Sequence, residues 1–446
     1  MTERAGSLRP LLRLALPIVG VNLGMMAMGA VDTIMVGRLS PEALAAVALG
    51  NVYFFALAMF GIGVLLAVDP ILTQALGAND FSGAARAVQR GIVVAAGLSL
   101  PIAAALLVAA PTLRLAQQPA TIIPLAGTYC LIMVPSVLPF LLFSVGRQTL
   151  QAMHRVGPVL WTIIAANLLN VGFNWLLIFG HLGFPALGVA GSAWATTLSR
   201  VSMLALLYLL AQPELRPWIR PWHPDSIRRA PIWAMLRLGI PIGFQIELEM
   251  AAFSIVALLM GTFGTVPVAG HQIALNLASL TFMVPMGVGM GVSVLVGQAV
   301  GRGDVEAVQR ASRSALIVGA GFMGLTALLF LGLPRFLAQI YTTNEAVVAF
   351  AAMLLPIAGV FQVFDGLQVV SVGILRGLGD TRVPMLINLL GFGAAGIGAS
   401  LYLAYRTPLG AVGLWWGLVI GLVIVAVTLM LRVRVATRRP LRRIAA

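Results

Sequence analysis

The sequence predicts an all-α integral membrane protein whose twelve transmembrane helices form two pseudo-symmetric six-helix bundles. Three observations predict this fold class. Of the 446 residues, 60% are hydrophobic and only 9% are charged; twelve apolar stretches are long enough to cross a bilayer; and segments recur about 224 residues apart. Because a soluble domain carries roughly 25% charged residues, the composition argues against a water-soluble enzyme.

The apolar stretches predict the twelve spans directly. A hydrocarbon core about 30 Å thick needs about 20 predominantly apolar residues per helix. The 48 glycines suit such helices, because small residues let neighbouring helices approach closely. We therefore expect a multi-pass protein of the inner (plasma) membrane. The stretches are centred near residues 24, 60, 100, 132, 168, 200, 250, 285, 322, 360, 394 and 420.

The charged and sulfur-containing residues exclude several classes of chemistry. All 28 residues counted as lysine or arginine are arginine. Without lysine the chain has neither a Walker A loop nor a Schiff-base site. The single cysteine, Cys130, excludes an intrachain disulfide framework and a multi-cysteine metal site. We therefore expect no enzyme activity and no cofactor other than a coupling ion.

The arginines alternate with the spans. We assign 24 of the 28 to the N-terminus, the even-numbered connections and the C-terminus, including Arg147 and Arg200. This bias follows the positive-inside rule and predicts that both termini are cytoplasmic. It also explains the basic composition without a nucleic-acid partner. The odd-numbered connections contain only Arg38, Arg114, Arg335 and Arg406.

The basic C-terminal run RVRVATRRPLRR has two interpretations. We favour an anchor that fixes the membrane topology, in keeping with the arginine bias. The alternative is a tail that binds lipid headgroups or nucleic acid.

Two pairs of segments reveal an internal repeat. LRLALPI at Leu12–Ile18 recurs as LRLGIPI at Leu236–Ile242, and QALGAND at Gln74–Asp80 recurs as QAVGRGD at Gln298–Asp304. Both pairs are separated by 224 residues. Because each half starts on the same predicted side, the repeats are parallel and related by an axis along the membrane normal. This arrangement is typical of secondary transporters.

The repeat divides the chain into two predicted lobes. Residues 1–220 form the N-lobe, with helices 1 to 6 and a cytoplasmic linker at about 212–230. Residues 221–446 form the C-lobe, with helices 7 to 12 and a basic cytoplasmic tail. Because both six-helix halves lie in one chain, we expect a monomer.

The QALGAND and QAVGRGD motifs end in an aspartate that precedes a predicted helix. We expect Asp80 and Asp304 to be helix N-caps, since aspartate is favoured there. The alternative is a cytoplasmic gate in which Asp80 pairs with Arg86 and Asp304 pairs with Arg310.

Five of the 14 acidic residues fall within the predicted spans. A charge at the bilayer centre costs about 2.5–3.5 kcal/mol on insertion scales, so such residues usually bind or relay ions. Three of them, Asp32, Glu249 and Asp365, have no acidic counterpart in the other half. We therefore predict that they couple transport to an ion. The five are Asp32, Asp69, Glu247, Glu249 and Asp365.

Asp69 and Glu247 are secondary candidates, together with Phe361 and Gln272. Asp69 precedes Pro70, so it can either serve the site or brace the cytoplasmic end of its helix. Glu247 lies two residues before Glu249, about 200° around a helix, so the two cannot face one cavity.

Uncharged polar residues surround these acids in the sequence. Five of them either complete a site with Asp32 or form interhelical hydrogen bonds. His271 and Gln272 begin the eighth predicted helix, where we expect caps rather than proton carriers. The five residues are Asn167, Asn170, Asn174, Thr196 and Thr197.

The chain resembles the multidrug and toxic compound extrusion (MATE) family, in particular its NorM-like branch. The resemblance runs from about Leu12 to the end of the last predicted helix, and the order and spacing of the segments make it specific. These segments are VDTIMVGRLSPEALAAVALG, ALPI, QALGAND, NLLNVGFNWLLIFG, GVAGSAWATTLSR, PVAGHQIALNLASL, VGQAVGRGD and DGLQVVSVGILRGLGDTRVPM.

The resemblance implies an antiporter that exports organic cations or amphiphilic drugs while H⁺ or Na⁺ enters. It implies ion-coupling and substrate-binding roles for six residues of this chain. A Na⁺ ion would bind at Glu249 and Asp365, or at Asp32 and Asn170. The six residues are Glu249, Asp365, Asp32, Asn170, Asn174 and Thr196.

One position departs from the pattern. NorM-like proteins often have a tyrosine four residues before the aspartate of the tenth helix, and this chain has Phe361. The missing hydroxyl weakens the expectation of a C-lobe Na⁺ site, and the residues leave H⁺ and Na⁺ both open.

Competition is the mechanism that these residues predict. A carboxyl group in a cavity of low dielectric constant readily holds a proton, and its ionised form attracts a cationic drug. One alternative is a lipid-linked precursor flippase, which we disfavour because its cavity needs basic residues while the charges predicted inside this membrane protein are acidic. Another alternative is a membrane receptor or scaffold without transport activity.

Overall fold

The computed structural model describes residues 8–444 and confirms the predicted fold class. These residues are helical almost throughout and contain no β-strand. Twelve of their helices are long and apolar enough to cross a membrane. Residues 1–7 and 445–446 lie outside the described residues, and with them Glu3 and Arg4 of the predicted cytoplasmic N-terminus.

We number the spans α1 to α12 in chain order. Short helices at Ala109–Leu115, Gln212–Ile219 and Pro334–Gln339 lie in the connections. The spans are Leu8–Val36, Pro41–Gly77, Phe81–Leu107, Ile123–Ala152, Gly157–Phe179, Val189–Leu210, Arg229–Gly261, Thr265–Arg302, Val305–Gly332, Glu345–Gly377, Arg382–Arg406 and Ala411–Ala436.

Three spans contain irregular turns. The α2 span breaks after Leu65 and resumes at Val68. A 3₁₀ turn at Val134–Ser136 interrupts α4, and its proline has no backbone N–H to continue the α-helical pattern. A π-helical segment at Leu389–Gly396 lies within α11. Because π-helical turns often occur at functional sites, the residues next to Leu389–Gly396 are candidates for a functional role.

The chain forms two compact units. Unit 1 contains the described residues 8–19, 73–79 and 244–444. Unit 2 contains residues 20–72 and 80–243. The division at residue 220 that the sequence suggests stays a prediction.

Glycines allow the two repeated motifs to touch within unit 1. A Cβ atom at Gly77 of QALGAND would lie 2.1 Å from the main-chain oxygen of Gln298. A Cβ atom at Gly301 of QAVGRGD would lie 2.2 Å from the main-chain oxygen of Gln74. The contact is reciprocal, so the repeat in the sequence appears as a local pseudo-twofold contact in the fold.

The aspartates of the same motifs are helix caps, as predicted. The Asp80 side chain accepts a hydrogen bond of 2.8 Å from the backbone N–H of Gly83 at the start of α3. Asp304 does the same for Ala307 at the start of α9, also at 2.8 Å. Arg310 forms its ion pair with Glu306 at 2.8 Å, rather than the pair with Asp304 that we gave as the alternative.

A buried glutamine holds the linker that follows α6. Gln89 on α3 is 0% exposed. Its Oε1 accepts hydrogen bonds from the His223 N–H at 2.9 Å and the Ser226 hydroxyl at 2.8 Å. Its Nε2 donates to the Pro221 carbonyl at 2.9 Å. The linker is therefore attached to unit 2 through its main chain.

The C-terminal tail is attached in a similar way within unit 1. The Gln309 Nε2 donates to the Thr437 carbonyl at 3.2 Å. The Gln74 Oε1 accepts from the Ile444 N–H at 2.8 Å, and its Nε2 donates to the Gly377 carbonyl at 2.9 Å. The segment 437–444 is thus held at both ends.

Three buried arginines that we assigned to cytoplasmic connections lie inside spans, so that assignment is wrong for them. Arg90 lies in α3 and is 4% exposed, whereas Arg147 in α4 and Arg200 in α6 are each 5% exposed. The positive-inside rule assigns each arginine to the connection nearest to it in the sequence. It cannot identify an arginine that side chains from other helices bury within the protein.

We predict that Gly77→Ala and Gly301→Ala each lower the thermal unfolding midpoint in detergent. The added methyl group would overlap a main-chain oxygen, and overpacking of this kind costs roughly 1–3 kcal/mol. Gly321→Ala is the control, because nothing lies within 4 Å of its would-be Cβ atom. Equal midpoints for all three variants would contradict the reciprocal contact.

Candidate functional site

Asp32 is the centre of a buried polar cluster in unit 2. It is only 3% exposed. Its Oδ1 accepts hydrogen bonds from the Asn174 Nδ2 at 2.6 Å and the Asn170 Nδ2 at 3.1 Å. The Thr196 hydroxyl lies 3.0 Å from its Oδ2. The structure therefore brings together the four residues predicted for the N-lobe site.

Helical spacing explains how these side chains meet. Asn170 and Asn174 are four residues apart on α5, so they lie on one face of that helix. The Asn174 Nδ2 is also 3.2 Å from the Asn170 Oδ1. All three neighbours direct N–H or O–H groups at the carboxyl group, an arrangement that suits an ionised acid because it has only acceptors.

The Thr196 hydroxyl has two acceptors within reach. It lies 3.0 Å from the Asp32 Oδ2 and 3.0 Å from the Ser192 carbonyl oxygen. A hydroxyl has one proton to donate and two lone pairs. It can therefore donate to an ionised Asp32, or donate to Ser192 and accept a hydrogen bond from a protonated Asp32.

The other polar residues proposed for this site bond elsewhere. The Asn167 Nδ2 donates to the Gly24 carbonyl at 3.0 Å, and the Thr197 hydroxyl donates to the Ile132 carbonyl at 3.0 Å. These are interhelical bonds, the alternative we gave for them. Neither bond involves Asp32.

Asp69 lies apart from the end of its span. It is 6% exposed and occupies the first turn of Val68–Gly77, directly after the break in α2. A negative charge in a first helical turn is favoured by the helix dipole. Asp69 therefore suits a bracing role at this break rather than at the cytoplasmic end.

Glu249 is the centre of a second polar cluster, in unit 1. Its Oε1 accepts hydrogen bonds from the Gln368 Nε2 at 2.6 Å, the Asn388 Nδ2 at 3.0 Å and the Gln245 Nε2 at 3.4 Å. Asp365 interacts electrostatically with Glu249. The two predicted C-lobe acids thus belong to one cluster, and both are half-buried.

The three amides around Glu249 were not among the predicted site residues. Gln245 is four residues before Glu249, and Gln368 is three residues after Asp365, so each shares a helix face with an acid. This spacing could have identified Gln245 and Gln368 as neighbours of the acids. Asn388 is marked by another feature, because it directly precedes the π-helical segment of α11.

Phe361 fills the position where a tyrosine was expected. It is 2% exposed and one turn before Asp365 on α10. Its ring packs edge-on against Phe253 and Trp415, with centroids 5.8 and 6.0 Å away. Glu247, another secondary candidate in unit 1, is half-buried on α7.

His271 and Gln272 are not helix caps, which corrects our expectation. The α8 helix begins at Thr265, with Gly264 at the N-cap position, so both residues lie in its second turn. The His271 Nδ1 accepts a hydrogen bond of 3.1 Å from the Trp415 Nε1. Gln272 is exposed. The helix begins six residues before His271, because Gly264 and not a polar side chain occupies the N-cap position.

Comparisons with known proteins agree in both sequence and structure. A sequence model of the MatE family matches residues 17–176 and 241–401. The probable multidrug resistance protein NorM of Mesorhizobium japonicum is 39% identical over 439 residues, which cover 95% of this chain and 93% of that protein. The multidrug resistance protein NorM of Burkholderia vietnamiensis is 36% identical over 435 residues, with coverage of 95% and 93%.

Solved structures show the same fold at lower identity. The eukaryotic MATE transporter AtDTX14 superposes with a TM-score of 0.85 at 22% identity, over 97% of this chain and 98% of that one. The Vibrio cholerae MATE transporter VcmN in its bent form superposes with a TM-score of 0.86 at 20% identity, over 97% of each chain.

We predict that Asn388→Leu lowers the thermal unfolding midpoint of the wild-type chain but has little effect in a Glu249→Leu background. A buried carboxylate that loses a donor costs roughly 1–3 kcal/mol, and without the carboxylate that cost disappears. The double-mutant cycle measures this coupling directly. Additive effects of the two substitutions would show that the Asn388–Glu249 bond contributes nothing.

Proposed function

This chain belongs to the MatE family, and we propose that it is a secondary antiporter that exports organic cations or amphiphilic drugs in exchange for H⁺ or Na⁺. The observation that carries the proposal is Asp32, a carboxyl group buried within apolar spans and surrounded by hydrogen-bond donors. The names of the relatives, multidrug resistance protein NorM, support the same substrate class.

Competition for Asp32 is the proposed coupling step in unit 2. The ionised carboxylate attracts a cationic drug, whereas a bound proton or Na⁺ neutralises it. The Thr196 hydroxyl serves either state, because it can donate to Asp32 or to the Ser192 carbonyl. Asn170 and Asn174 also have amide oxygens, the kind of ligand that hard cations prefer, if the amides turn.

Unit 1 supplies a second proposed ion site. Glu249 and Asp365 repel each other when both are ionised, so a cation near both is attracted by two charges. Gln368 and Asn388 orient the Glu249 carboxylate. Phe361 adds no oxygen ligand, which favours a proton over Na⁺ at this cluster.

A flippase would need basic residues that face its cavity, and Arg90, Arg147 and Arg200 are basic residues within the spans. All three are covered by their own unit. The Arg147 Nη1 lies 3.6 Å from the Met25 sulfur, and Arg200 lies over the rings of Phe54 and Phe140. Each of the three is at most 5% exposed, so none offers a surface to a lipid diphosphate. The antiporter remains the better supported function.

We also propose a monomer of the inner membrane with both termini in the cytoplasm. The arginine bias carries this orientation. Apart from Arg90, Arg147 and Arg200, which are buried within spans, the arginines on the proposed cytoplasmic side remain far more numerous than the four on the other side.

We predict that Asp32→Asn, Glu249→Gln and Asp365→Asn each reduce drug-cation transport by at least tenfold. Each replaces an ionisable group by a neutral one of nearly equal shape, so the exchangeable charge is lost. The measurement is uptake of a fluorescent cation by proteoliposomes with an imposed pH or Na⁺ gradient. The gradient that drives transport identifies the coupling ion.

Glu306→Gln is the matched control for these substitutions. Glu306 is an exposed partner of Arg310, with 83% of its side chain accessible, so its neutralisation should leave transport unchanged. Wild-type transport by all three carboxyl variants would contradict the antiport mechanism, and a wild-type chain that responds to neither gradient would favour the flippase.

We predict that a cysteine introduced at Arg438 reacts with a membrane-impermeant maleimide in inside-out vesicles and not in right-side-out vesicles. Arg438 is exposed, and the native Cys130 is buried and gives no background. A cysteine at Arg114, in the third connection, should show the opposite pattern. Labelling of both from the same side would contradict the topology.

A further inference from the structure

We propose that Arg200 is a fixed counter-charge that weakens cation binding at Asp32 and so promotes cation release. The proposal rests on the competition proposed for Asp32 and adds a residue that acts through it. Arg200 does not contact the Asp32 carboxylate. Its positive charge acts from a distance on the binding of a cation by that carboxylate.

The position of Arg200 is the first observation. It is the thirteenth residue of the helix Gly188–Leu210, which places it about 18 Å from one end and 15 Å from the other. It is one helical turn after Thr196, whose hydroxyl is 3.0 Å from Asp32. Arg200 is therefore near the middle of its span and on the same helix face as the Asp32 ligand.

An aromatic clamp holds the guanidinium group. Its Cζ atom lies 4.0 Å from the ring centroid of Phe54, 4.6 Å from that of Phe140 and 5.9 Å from that of Phe55. Its Nη1 donates a hydrogen bond of 3.1 Å to the Ser136 hydroxyl, in the 3₁₀ turn of α4. Cation–π contacts of this kind stabilise a desolvated charge.

The clamp keeps Arg200 at a distance from the acid. Asp32 and Arg200 interact electrostatically, yet no ion pair among the described residues joins them. A direct arginine–carboxylate pair would occupy both carboxylate oxygens. At a distance, the guanidinium leaves those oxygens to Asn170, Asn174 and Thr196, and to an exchanging cation.

The charge balance then decides the effect. With an ionised Asp32, the buried pair is neutral. When Asp32 binds a proton, Na⁺ or a drug cation, the pair carries a net positive charge, and such a charge is costly where the dielectric constant is low. Arg200 therefore opposes occupation of Asp32 by any monovalent cation.

The test measures binding of tetraphenylphosphonium to the purified full-length chain in detergent, at constant pH. We expect Arg200→Met to bind about tenfold more tightly than wild type, because the opposing charge is gone. Arg200→Lys keeps the charge and should stay within about threefold of wild type. In an Asp32→Asn background, Arg200→Met should have no further effect on affinity.

A second variant covers the case in which Arg200→Met does not fold. Phe140→Leu removes one face of the clamp and keeps the charge, so the guanidinium can approach Asp32 and binding should weaken. Size-exclusion profiles and thermal unfolding midpoints identify the folded variants.

Several outcomes would overturn the inference. They are unchanged or weaker binding by folded Arg200→Met, tighter binding by Phe140→Leu, and equal tightening by Arg200→Met with and without Asp32. If Asp32→Asn alone leaves binding unchanged, the competition at Asp32 is wrong and the inference falls with it. If Asp32→Asn weakens binding while Arg200→Met does not tighten it, only the role of Arg200 is wrong.

Discussion

A carboxylate that leaves water must receive its hydrogen bonds from the protein, and both polar clusters of this chain follow from that constraint. An unsatisfied charged group inside a membrane protein would cost more than the fold can offset. Asp32 and Glu249 are therefore surrounded by amide and hydroxyl donors. These donors lie on helix faces that apolar residues would otherwise occupy. In the proposed antiport cycle the same donors must give way to a proton or a metal ion, and uncharged groups suit that exchange.

The two units satisfy this constraint differently, and the difference does not follow the sequence repeat. The repeat is visible in the scaffold, where Gly77 and Gly301 make reciprocal contacts and Asp80 and Asp304 cap the helices that follow the two motifs. It is absent from the clusters. Unit 2 surrounds a single acid with donors from two helices, whereas unit 1 gives Glu249 three amides and a second acid nearby. The repeat thus accounts for the framework and not for the chemistry of the clusters.

Much of the fold could be predicted because hydropathy and length are local properties, and the twelve spans need nothing else. The Asp32 cluster could be predicted because its residues lie in recognisable segments. Gln368 and Asn388 could not be assigned to Glu249, since their contact depends on how three helices pack. The sixth predicted span is centred near residue 200, so its hydropathy already contradicted the assignment of Arg200 to a connection. The clamp itself could not be predicted, because Phe54 and Phe140 are far from Arg200 in the sequence. Tertiary covering of a charge leaves no local signal.

The attachment of the C-terminal tail has a practical meaning for handling the protein. The main chain is bound at Thr437 and again at Ile444, so this short segment belongs to the folded part of unit 1. The arginines between those points are spaced by an anchored backbone and so form a set pattern, unlike charges on a freely moving peptide. A fluorophore or purification tag joined to this end therefore needs its flexible spacer to begin beyond Ile444.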